Sequence, residues 1–67
     1  MPIQTMFKGY AVSARVVQAK GRTWAFYIIE KDNKPVRIAH VPLPRGTVQA
    51  AQTALAHGLI YADEQLE

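Results

Sequence analysis

The segment Pro42-Leu43-Pro44-Arg45-Gly46 divides the chain into two parts of different character. Two prolines two residues apart cannot both take part in a hydrogen-bonded ladder, so any sheet must stop there. Upstream lie runs rich in aromatic and β-branched residues. Downstream of Val48 such residues are scarce, and good helix formers dominate. The break predicts an α+β chain, sheet first and one helix after, joined by a crossover loop of fixed shape. With 67 residues there is room for a single domain spanning 1–67, and a domain of this size buries only about 60% of the surface its unfolded chain exposes.

Upstream of the break, period and punctuation predict three strands. Tyr10 to Val17 alternates with period two, Thr23 to Glu30 is dense in aromatic and β-branched residues, and Val36 to Val41 follows. Ala19-Lys20-Gly21-Arg22 supplies a glycine able to take positive φ between the first two. Lys31-Asp32-Asn33-Lys34-Pro35 joins the second and third, with Asp and Asn suited to turn geometry and a proline that lacks the N–H needed inside a ladder. The expected sheet is a three-stranded antiparallel meander.

Downstream, Thr47 can cap a helix over about residues 47–58 or longer. Its sheet-facing stripe is expected at Val48, Ala51, Leu55, Gly58, Leu59 and Ala62. Gly58 is either the C-terminal stop or a small residue that permits close approach to the sheet. If the helix runs on, Ile60 points away from the stripe, so the helix either ends near Gly58 or a second surface covers Ile60. Four of the chain's ten alanines fall between Ala50 and Ala56, which reads as a device for setting the helix close against a short sheet.

Composition narrows the functional classes. The chain has no cysteine, which removes disulfides and thiolate zinc sites, the usual staples of small domains. The longest apolar run, Trp24 to Ile29, is far short of the roughly 20 residues that span a bilayer, and Met1 to Phe7 lacks the basic start and apolar core of a targeting signal. A cytoplasmic protein without membrane partners is expected. The first 45 residues hold all eight basic side chains and only two acidic ones, Glu30 and Asp32, a balance of +6; the remainder holds only Asp63, Glu64 and Glu67. Such asymmetry suggests an anion-facing region joined to a weakly acidic end, or solubilising charge on a small protein.

Catalytic groups are sparse. Ser13 is the only serine and His40 and His57 the only histidines. Ser13 lies mid-strand rather than on an exposed strained turn, and one sheet with one helix offers little concavity for a substrate. The histidines stand far apart in sequence, without cysteine or a neighbouring carboxylate to complete a metal site. His40 reads as a partly buried imidazole near the sheet end, and His57 as a cation favoured by a helix C-terminus. The glycines are isolated, not a phosphate-cradling loop. Arg45 beside the Gly46-Thr47 helix start is a generic anion site, for which a turn plus an N-cap is the simpler account. No enzyme activity, cofactor, metal or small-molecule substrate is expected.

The most informative feature is the sheet face left uncovered. If Trp24, Phe26 and Ile28 point inward with Tyr10, Val12, Val16, Val36 and Ile38, the opposite parity exposes Ser13, Arg15, Val17, Thr23, Tyr27, Ile29, Arg37, Ala39 and Val41. Both sides of the second strand are apolar, so the inverted parity is the alternative. An apolar patch with a charged rim, built on Arg15, Thr23, Tyr27, Ile29 and Arg37, fits a protein interface. The other reading is nucleic-acid binding, with Lys20, Arg22, Lys31 and Lys34 as further contacts around the hairpin ends.

Two resemblances attach to these residues. Phe7-Lys8-Gly9-Tyr10, Trp24-Ala25-Phe26 and the Ala-rich stretch leading to Gly58 resemble a group of small uncharacterised bacterial β-β-β-α domain proteins, a domain of unknown function. The junction Pro42 to Thr47, followed by Ala50 and Ala54, is partly similar to the HicB antitoxin family, which would imply a toxin-like protein partner. The chain lacks that family's longer loop, acidic helix start and appended DNA-binding segment. Together the residues lead to the expectation of a non-enzymatic protein-binding or self-assembly module, acting as a homodimer through the open sheet face or an edge strand.

Overall fold

A computed structural model describes residues 3–43 and 48–66. It comprises β1 (Ile3–Phe7), β2 (Tyr10–Ala19), β3 (Arg22–Lys31), β4 (Lys34–Val41) and α1 (Ala50–Gln65), with the strands in the order β1-β2-β3-β4 and every pair antiparallel. The α+β architecture is as expected, but the sheet has four strands rather than three. The additional strand, β1, arises because Lys8-Gly9 forms a two-residue hairpin turn, folding Ile3, Thr5 and Phe7 back onto the β2 residues Ala14, Val12 and Tyr10.

All three hairpin turns share one solution. Lys8 and Gly9 have φ of 53° and 83°, Lys20 and Gly21 of 53° and 72°, and Asp32 and Asn33 of 53° and 63°. Positive φ at both central positions is the type I′ signature, whose twist matches that of the flanking strands. Pro35, expected outside the ladder, lies within β4 opposite Glu30. The edge strand tolerates it because the register shifts there: Ile29 faces Arg37 while Glu30 faces Pro35, leaving Val36 as the extra residue of a bulge.

The helix covers one sheet face. Buried against it are Tyr10, Val12 and Ala14 of β2, Ala25, Tyr27 and Ile29 of β3, and Val41 of β4. The expected inward set is therefore corrected: Tyr10 and Val12 are inside, whereas Trp24, Val16, Val36 and Ile38 are exposed and Phe26 and Ile28 only half-buried. Tyr27 and Ile29, expected on the open side, are 5% and 0% exposed.

The reason lies in the volumes offered by the helix. Its buried residues are Ala54, Gly58 and Ala62, a stripe of small side chains repeating every four positions. Val48, expected in the stripe, precedes the helix and is exposed, while Ala51, Leu55 and Leu59 flank the contact. On the sheet, Tyr27 stands between Ala14 and Ala39 in one cross-strand row. One large ring flanked by two alanines and roofed by a glycine fills the space that Trp24 and Phe26 would overfill. A Cβ on Gly58 would lie 2.8 Å from Val12 Cγ1 and 3.1 Å from Tyr27 Cβ, closer than ordinary packing permits. Gly58 is thus the small residue of close approach, and the helix continues past it to Gln65 with Ile60 exposed.

The N-cap is Gln49, without a side-chain capping bond; instead the Thr53 amide and Thr53 hydroxyl both donate to the Gln49 carbonyl at 2.9 Å. The expected Thr47 cap and the Arg45–Thr47 anion site lie outside the described residues. No helix among the described residues is long and apolar enough to cross a membrane.

Two stability predictions follow from this packing. Gly→Ala in an exposed helix is worth about 1 kcal/mol of stabilisation; at Gly58 overpacking, which costs about 1–3 kcal/mol, is expected to win. Gly58→Ala should lower the urea midpoint, and a raised midpoint would contradict the close approach. Asn33→Gly, which creates the favoured Asp-Gly turn at a position of φ 63°, should raise the midpoint in the same assay.

Candidate functional site

With the helix on the Tyr27 side, the face it leaves open consists of the alternate residues. Reading across the strands, its rows are Ala11–Glu30, Ser13–Ile28–Ile38, Arg15–Phe26–His40, Val17–Trp24 and Ala19–Arg22, with Gln4 and Met6 of β1 beside Ser13 and Ala11. Met6 is 65% exposed, Ile38 62%, Val17 46% and Trp24 45%. His40 is exposed rather than partly buried, and its ring lies 6.0 Å from that of Trp24 and 6.4 Å from that of Phe26, edge-on to the latter. Three ring systems and four aliphatic side chains thus form one apolar surface, interrupted by Arg15.

Charge on this face is segregated by end. Glu30 lies at one end, where Asp32 of the β3–β4 turn joins Gln4, Met6 and Asn33 around a depression. Arg22 lies at the other, and Arg15 stands in the middle row. None of the four lysines belongs to the rows of the face; Lys8 and Lys20 lie in turns, and Lys31 and Lys34 flank the third turn.

The sequence-expected site residues therefore divide. Arg15 is on the open face. Thr23 is exposed on the helix-side parity, beyond the covered part of the sheet. Tyr27 and Ile29 are core residues, and Ala39 and Val41 likewise pack on the helix side. Arg37 also belongs there: its Nε donates to the Tyr27 hydroxyl at 2.9 Å and its guanidinium stacks 4.1 Å over the Tyr61 ring. The Tyr27 hydrogen bond holds the Arg37 pKa above its ordinary value, so Arg37 is a permanent cation that clamps the end of the helix to the edge of the sheet.

The four expected nucleic-acid contacts separate too. Lys20 lies in the β2–β3 turn and Arg22 follows it, whereas Lys31 and Lys34 flank the β3–β4 turn at the opposite end of the sheet, beside Asp32. A ten-residue strand lies between them, roughly 33 Å at strand rise. Lys31 stands over the Tyr10 ring at 5.1 Å. Lys8 is paired with Asp63 at 3.1 Å in an exposed bridge, the kind that contributes little to stability.

Of the groups with catalytic chemistry, Ser13 and His40 share the open face but have β3 between them, and His57 lies on the exposed side of the helix. His57 is eight residues from the helix end, so the C-terminal dipole is not what places it there. Among the described residues no three His, Cys, Asp or Glu side chains converge as metal ligands.

The residues that sequence reasoning placed on the wrong side, Trp24, Phe26, Ile28 and Ile38, form the centre of the site. A usable signal was present: Ala14, Ala25 and Ala39 share one face, and small residues on a sheet match small residues on a helix. In comparisons with known proteins, no family model, no curated protein and no solved structure matches the chain.

Proposed function

We propose that this protein is a non-enzymatic assembly module whose open sheet face packs against a second copy of itself. The observation that carries the reading is the surface left over after folding. A compact monomer of 7.5 kDa is expected to expose about 4,200 Å², yet the chain exposes 5031 Å². That total belongs to the whole chain, the hairpin tip included; on the open face what is left over is apolar, with Met6, Val17, Trp24 and Ile38 each 45–65% exposed.

Composition supports the same reading. Interface centres are enriched in aromatic residues, Met and Arg and depleted in Lys, and this face presents Trp24, Phe26, Met6, Arg15 and no lysine. Its charge supports a second copy in particular. An isologous contact that reverses one copy along the strands brings the Arg22 end of each over the Glu30 end of the other, with the Arg15–Phe26–His40 rows of the two copies at the centre. Sheets packed face to face interdigitate side chains in this manner.

Sedimentation at tens of micromolar should show a dimer. Ile38→Glu, at a position already 62% exposed, should give a monomer whose urea stability is reduced only by the loss of assembly. Trp24 is the only tryptophan, so its emission should shift to the blue as wild-type concentration rises and stay red in the variant. A wild-type monomer, or a dimer that Ile38→Glu leaves intact, would remove the open face as the assembly surface.

A further inference from the structure

The β2–β3 hairpin extends past the paired parts of both edge strands. Pairing with β1 reaches only Ala14, pairing with β4 reaches only Ala25, and every residue from Arg15 to Trp24 is exposed. Beyond both limits the three residue pairs Val17–Trp24, Gln18–Thr23 and Ala19–Arg22 make a two-stranded ribbon about 10 Å long at strand rise. Its tip carries Lys20 and Arg22, with Gln18 and Thr23 beside them around a depression, and Arg15 stands at its base in the row of Phe26 and His40. From Tyr10 to Ile29 the sequence contains no acidic residue. Among the described residues, the ion pair between side chains is Lys8–Asp63, and Arg37 and Lys31 are occupied by tyrosines. The ribbon cations therefore face solvent without an acidic neighbour.

We infer that this ribbon is a binding surface for duplex DNA, entering the major groove with its basic tip. A two-stranded ribbon matches a groove about 12 Å wide, whereas the major groove of A-form RNA is too narrow and deep to admit one. Three cations placed along the ribbon reach phosphates on the groove walls, and Gln18, Thr23 and Arg22 carry the donors and acceptors that base edges present. Single strands are the weaker fit, because binding them calls for successive aromatic platforms beside the cationic groove, and past Trp24 at its base the ribbon, from Gln18 to Thr23, holds no aromatic side chain. The inference shares Arg15 and Arg22 with the open face and adds Lys20 of the turn, so binding is read on the Ile38→Glu monomer, where all three cations are free, as well as on the wild type.

The test is the salt dependence of binding to a short DNA duplex by fluorescence anisotropy. Three phosphate contacts give a slope of log affinity against log salt of about −2.7, or about 40-fold weaker binding at 200 mM than at 50 mM salt. Lys20→Gln with Arg22→Gln should flatten the slope to about −0.9, with the far-ultraviolet circular dichroism and the urea midpoint showing that the variant is folded. Ile38→Glu, a monomer under the assembly reading, should bind with the full slope of about −2.7, which separates failure of one reading from failure of the other. Three results would overturn the inference: no binding at 50 mM salt, an unchanged slope in the double variant, or equal or tighter binding to duplex RNA or to single strands.

Discussion

The packing of Gly58 against Val12 and Tyr27 is the contact on which the rest of the structure depends. At 2.8 Å and 3.1 Å from an added Cβ, it leaves no room for any side chain, and it brings the helix down onto the seam between the two central strands. Fully buried large side chains are few, with Val12 and Ile29 the largest, so the core gains its density from closeness rather than from volume. Burying a Val or Ile contributes about 1.5–3 kcal/mol, and a chain of this size has little to lose. Arg37, clamped by Tyr27 and Tyr61, ties the later part of the helix to the edge strand by a contact that does not depend on apolar area.

That choice of face determines what the molecule presents. Because small residues meet the helix, the large ones of β3 turn outward: Trp24 and Phe26 join His40, Ile28 and Ile38 on a surface that one helix cannot reach. The open face is thus a direct consequence of how the core is filled. The ribbon follows from strand lengths, since β1 and β4 are shorter than β2 and β3 and leave both edges of the central hairpin unpaired beyond Ala14 and Ala25. Assembly through the face and anion binding by the ribbon are separate proposals that share this geometric origin.

How much of this was legible in the sequence depended on whether a local signal existed. The strands β2 and β3, the turn at Lys20-Gly21 and the helix after the double proline all follow from period and turn chemistry, which are local. Strand β1 was missed although Ile3, Thr5 and Phe7 alternate, because five residues ahead of a Lys-Gly pair make a weak pattern without a partner strand. The side of β3 that faces inward was illegible by alternation, as Trp24 to Ile29 is apolar throughout, and ring size pointed to the wrong side. It is set by complementarity with Ala54, Gly58 and Ala62, a relation between segments about 30 residues apart in sequence that no local period records. The grouping of Lys20 and Arg22 apart from Lys31 and Lys34 likewise required the register of the sheet.

The account stands on which sheet face the helix covers, and nuclear Overhauser contacts in solution report that directly. The Gly58 α-protons should show strong cross-peaks to the Val12 methyl groups and the Tyr27 ring, with none from the helix to Trp24 or Phe26. Cross-peaks from Ala54, Gly58 or Ala62 to the Trp24 indole or the Phe26 ring would contradict it.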